Sequence, residues 1–152
     1  MTEAAVDTLL REAMAGYRAD PARADFMLNY ACSQAVDPLP LYRVLYKFYN
    51  GQRRFEPARD FAARALAESA RRAGLAGPPE GWRRDALTGV ETLLASQLLL
   101  ALKATAFLAL RAGDEAAAGR HLAVLKDLDP EDGSGVSVVA ALADGALAGD
   151  YP

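Results

Sequence analysis

Apolar residues in this chain recur at spacings of three and four, the period of a helix with one buried face, and almost never alternate as a half-buried strand would. Between Leu41 and Leu66 the pattern is densest. Tyr42, Leu45, Tyr46 and Tyr49 share one helical face, and Phe55, Ala58, Ala62, Ala65 and Leu66 share another, across a turn read at Asn50-Gly51-Gln52. The same reading gives a first helix over about 3–18, with Val6, Leu9, Leu10, Ala13, Met14 and Tyr17 as its stripe. A second carries Ala24, Met27, Leu28, Ala31, Cys32 and Ala35. Further helices are expected over about 90–111, from Glu115 to Leu128, and over about 136–148.

Helix ends are legible from local chemistry. Asp20 precedes Pro21, so a carboxylate is available to cap free amides where proline is tolerated in the first turn. Pro38 and Pro40 disfavour helix in the residues before them. Gly74 and Gly113 stand where helices should stop, and Asp114 follows as the next cap. The stretch 75–89, LAGPPEGWRRDALTG, is dense in glycine and proline and reads as an irregular insertion with one short turn around Trp82. Val136 to Val139 is the one strand-like run, too short to build a sheet.

Composition reinforces this picture. Alanine and leucine dominate and isoleucine is absent, which favours helix over sheet. A chain of 152 residues suits a single domain, 1–152, with a usable core. The net charge of −3 gives no reason to expect nucleic acid. The lone Cys32 rules out an internal disulfide and fits a reducing, cytoplasmic setting. The beginning of the sequence lacks the basic and apolar runs of a secretion signal. Residues 93–110 are apolar enough to invite a membrane reading, but Lys103 and Gln97 interrupt them, and a helix buried among helices in a soluble protein explains the run more simply.

Tyr42, Leu45, Tyr49, Phe55, Ala58, Ala65 and Leu66 occupy the places of the large, leucine, tyrosine and small positions in a tetratricopeptide repeat, which this hairpin resembles. Tyr46 stands where that pattern has glycine, and Ala62 where it has an aromatic. Leu102, Ala106, Ala109, Gly113-Asp114, Ala118, Leu122 and Asp129-Pro130 repeat the pattern later. Leu10, Tyr17 and Asp37-Pro38 carry it, much diverged, at the start. The resemblance implies an all-α, right-handed superhelix of three hairpins (about 3–37, 39–74 and 90–129), an insertion over about 75–89 and a capping helix over about 136–148. The strings LYKFY-x3-RRF, LKATAF-x-ALRAGD and LDPEDGSGVSV also resemble small tetratricopeptide-like proteins encoded among proteobacterial nitrogen-fixation genes, which implies a cytoplasmic accessory role there.

Helical repeats of this kind bind partners along the face lined by the first helix of each pair. Six residues before Tyr17, Tyr49 and Ala109 stand Arg11, Arg43 and Lys103, and Lys47 and Asn50 share the face of Arg43. Cations in register suit an acidic peptide or partner helix through charge-assisted hydrogen bonds. Solvated surface is the plainer account of the same residues. Trp82 either anchors the insertion or, if exposed, marks an interface. Cys32 reads as a buried inert thiol, and His121 lacks companions at metal-ligand spacing. Asp127, Asp129, Glu131 and Asp132 lack the loop length of a calcium site and read as a turn. The arginine pairs at 53–54, 71–72 and 83–84 are dispersed among acids and do not form a nucleic-acid footprint. No cofactor and no enzymatic activity are expected. The function that follows is a protein-interaction module, with a self-associating structural protein or a small-molecule-binding helical domain as the alternatives.

Overall fold

The computed structural model describes residues 1–132, and they are all helix and connection, with no strand. Six α-helices follow one another: α1 (Glu3–Ala15), α2 (Pro21–Gln34), α3 (Leu39–Gly51), α4 (Phe55–Arg72), α5 (Thr92–Arg111) and α6 (Glu115–Leu128). The fold is therefore all-α. The helix expected over about 136–148 lies outside the described residues, as does the Gly-Ser-Gly stretch before it.

Local chemistry sets most of the boundaries. Thr2 caps α1 by accepting from the Ala5 amide at 3.1 Å, Asp20 caps α2 through Arg23 at 3.1 Å, and Asp114 caps α6 through Ala117 at 3.2 Å. Asp37 accepts from the Leu39 amide at the start of α3, and the Glu91 carboxylate takes the Leu93 and Leu94 amides at the start of α5. α1 ends at Ala15, short of the expected Arg18, because the chain turns at Gly16 while Tyr17 stays buried by tertiary contact.

Three helices close in the same way. The amides of Arg54, Leu75 and Asp114 each reach back five residues, to the carbonyls of Tyr49, Ala70 and Ala109, at 2.8–2.9 Å. The residue before each amide is left-handed, with φ 57° at Arg53, 78° at Gly74 and 79° at Gly113. Gly74 and Gly113 are thus the helix stops the sequence predicts. At α3 the expectation of a turn at residues 50–52 is corrected: Gly51 is still helical, and Arg53 takes the left-handed position.

Consecutive helices α1–α2, α3–α4 and α5–α6 pack as pairs through short connections, and α5 also lies along α4. Leu28, Leu45, Leu98, Leu102 and Leu125 are completely buried, as are Ala58, Ala62, Ala106 and Ala118, where the absence of bulk lets helix axes approach to about 8–10 Å. The aromatic partner of the tyrosine row is Phe61, one position before Ala62. It is buried and stacks on Tyr49 with ring centroids 5.8 Å apart. α5 is long and apolar enough to cross a membrane by composition, and here it is packed between α4 and α6.

Candidate functional site

Where α3 runs beside the start of α5, their side chains border a groove of about 400 Å³. Leu39, Pro40, Arg43, Val44, Tyr46 and Lys47 line it from α3, Leu93 and Gln97 from α5, and Ala65 of α4 lies beneath. One side is open to solvent: Arg43 and Lys47 are exposed, and so are two aliphatic side chains, Val44 at 43% and Leu93 at 63%. Apolar groups left in water beside cations make a surface that can bind by burial and by charge together. Burial holds the Tyr46 phenol above its ordinary pKa, with the adjacent Arg43 guanidinium acting the other way.

Charge on the two helices that flank the groove is of one sign, while the carboxylates of Asp37 and Glu91 cap their starts at Leu39 and Leu93. Neither α3 nor α5 contains an aspartate or glutamate, so every ionised side chain on the two helices is a cation: Arg43, Lys47, Lys103 and Arg111. None of the four has an ion pair among the described residues. Elsewhere among those residues Arg11, Arg54, Arg59, Arg64, Arg71, Arg72, Arg84 and Arg120 do, while Arg18, Arg23, Arg53, Arg83 and Lys126 do not.

Of the residues singled out in the sequence, the groove brings together Arg43 and Lys47. Lys103 is half-buried on α5, further along the helix. Asn50 is half-buried, its amide oxygen buried with no hydrogen-bond partner among the described residues, and it does not line the groove. Arg11 stands apart on α1, exposed and paired with Asp7 one turn earlier. Trp82 packs half-buried on the core just after the short 3-10 turn Pro79–Gly81. That insertion is tied to α6 by Glu80–Arg120 at 3.5 Å and Arg84–Asp127 at 3.6 Å, and it gives no residue to the groove.

No family model, curated protein or solved structure matches this chain. The site is accordingly read from its own chemistry. Sequence reasoning missed Val44, Leu93, Gln97 and Arg111. The signal for them was available in the acid-free runs 38–55 and 92–113, which fall on two neighbouring helices.

Other polar groups do not converge. Burial pushes the Cys32 thiol up to about 11, which suppresses the thiolate and its nucleophilicity. His121 is half-buried on α6 and burial lowers its pKa. Among the described residues no three His, Cys, Asp or Glu side chains stand close enough to hold a metal ion. A second hollow of about 300 Å³ at the α1–α2 turn mixes Glu12, Asp20 and Arg23 and offers no uniform chemistry. On α2, the exposed Phe26 and Tyr30 stack on each other, away from the groove.

Proposed function

We propose that the protein is a tetratricopeptide-like superhelical interaction module that holds an acidic peptide or partner helix in the α3–α5 groove. The observation that carries this reading is the acid-free pair of helices, on which Arg43 and Lys47, without an ion pair among the described residues, stand beside the exposed Val44 and Leu93. A carboxylate partner would gain charge-assisted hydrogen bonds from Arg43 and Lys47, and its apolar side chains would cover Val44 and Leu93. No covalent step is needed and none is assigned. The resemblance to proteins encoded with nitrogen-fixation genes suggests a cytoplasmic accessory task for such a module, carried out by binding.

Charge reversal tests it. Arg43→Glu with Lys47→Glu changes two exposed side chains and should leave the helical signal and melting point intact. Fluorescence anisotropy with a labelled glutamate-rich peptide should show affinity reduced roughly tenfold or more, since each charge-assisted hydrogen bond contributes about 1.5–3 kcal/mol. Equal binding by both proteins, or a preference for the glutamine version of the peptide, would sink the proposal.

A further inference from the structure

We infer that the groove reads two features of its partner at a set distance: an apolar side chain at the Leu93 end, and a carboxylate held by Arg111. This rests on the groove reading above and goes further by assigning an anchor and a spacing.

On α5, Leu93, Gln97, Leu100, Ala104, Phe107 and Arg111 are separated by alternating steps of four and three, which places them in one line along the helix. The first two line the groove opposite α3. Arg111 therefore closes the same line at its far end, about 27 Å away at 1.5 Å per residue.

The environment of Arg111 is unlike that of the other half-exposed arginines. Arg54, Arg59 and Arg72 each have a carboxylate partner. Arg111 has none among the described residues, and the nearest acid in sequence, Asp114, is committed to capping α6 and to Arg59. Its guanidinium lies over the ring of Phe55 at 4.9 Å and within 5.6 Å of that of Phe107. Its Nε–H is buried with no acceptor among the described residues, so the Nη groups are the part of the guanidinium that a partner can reach. Contact with two aromatic rings confines the guanidinium, and its remaining edge can match a carboxylate with two parallel hydrogen bonds. Lys103, about 12 Å before Arg111 along the helix, adds positive charge to α5.

The two ends thus differ in kind. Leu93 and Val44 offer exposed aliphatic surface, and Arg111 offers a pre-oriented fork. An extended chain rises about 3.3 Å per residue, so it covers the interval in roughly eight residues. The partner class is an extended segment with an apolar side chain and a carboxylate about eight residues apart.

A displayed library of random dodecapeptides, selected on the immobilised full chain, tests this directly. Selected peptides should carry an acid about eight positions from a Leu, Met or Phe. A synthetic peptide of that kind should bind Arg111→Gln roughly tenfold or more weakly, and Arg111→Lys with intermediate affinity because charge remains without the fork. Peptides with amidated and free C-termini separate a side-chain carboxylate from a terminal one. In the wild-type protein, the Arg111 Nε–H resonance should shift with the glutamate peptide and stay in place with its glutamine version, a readout independent of how the variants fold. An unchanged acid preference or affinity in Arg111→Gln, with binding still lost in the Arg43→Glu, Lys47→Glu variant, overturns the anchor and leaves the groove reading standing. Absence of any enrichment on the wild-type protein overturns both.

Discussion

The pair α1–α2 joins α3–α4 through polar and aromatic groups, whereas α5 joins α4 mainly through small and aliphatic ones, with Arg111 over Phe55 at one end. At the first junction the Tyr49 hydroxyl donates to Asp25 at 2.5 Å, Arg54 donates to the Tyr17 hydroxyl, and Arg54 and Asp25 are 3.8 Å apart. The rings of Tyr17, Phe48 and Tyr49 meet edge to face at 5.3–5.9 Å. At the second, the residues buried on α4 and α5 are alanine, leucine, Phe61 and one serine, Ser69, whose hydroxyl is satisfied inside its own helix by the Ala65 carbonyl at 2.7 Å. Aliphatic packing gains stability from every methylene removed from water, while a polar junction gains little net energy per hydrogen bond and loses much when one partner is removed. The groove lies beside the second junction, where the frame is stiffest against loss of a single polar contact.

Three substitutions probe this contrast. Leu102→Ala leaves a hole where α5 is fully buried and should cost about 2–5 kcal/mol, read from the shift in denaturant midpoint at constant slope. A loss at the first junction as large as this would erase the difference between the two.

Tyr49→Phe should cost less, about 1–2 kcal/mol, and its signature is in the alkaline range. Burial first, and then the Asp25 hydrogen bond, hold the Tyr49 phenol above its ordinary pKa. The folded protein keeps this proton where the unfolded chain releases it, so the contribution is present below pH ~10 and is lost as pH rises beyond it. The phenylalanine variant should show a shallower loss of stability above pH ~10, measured by denaturation across that range. An unchanged slope would mean the phenol is not protected at the junction.

The smallest effect is expected from Arg72→Ala, which removes a 2.7 Å pair to Asp37 across the first and second hairpins. Asp37 is about half exposed, so screening limits the loss at neutral pH to about 0.5–1 kcal/mol. The Arg72 hydrogen bond depresses the Asp37 pKa, so the contribution is present above the ordinary value of ~3.9 and disappears as pH falls through the lower folded value. Wild-type and variant stabilities should converge in that acid range.

Much of the frame was legible because its signals are local. Asp20-Pro21, Asp114, Gly74 and Gly113 act within a turn of their own position, and the structure uses each of them as expected. What escaped depended on neighbours distant in sequence. Tyr17 remains buried beyond the end of α1 because Phe48 and Tyr49 receive it, and Phe61, one position before Ala62, is the α4 aromatic that stacks on Tyr49. The candidate site follows the same rule. Arg43 and Lys47 share one helix and so fall together in the groove, whereas Arg11 belongs with Asp7, four residues away, a pairing the sequence itself contains. Arg111 looks like an ordinary basic residue closing a helix. Its significance emerges only when Phe55, from another helix, is seen beneath it.

The segregation of charge also shapes how a partner would arrive. The chain is net negative, with carboxylates on α1, α2, α4 and α6 and none on α3 or α5. If the partner is an acidic segment, the strip formed by α3 and α5 is where attraction meets no carboxylate on the same helix, which would favour one orientation before contact. Such steering raises encounter rates by about 10–10³ and fades once salt shortens the screening length below ~8 Å. Capture would then be fast in dilute buffer and slow in concentrated salt, with the rate of escape changing far less.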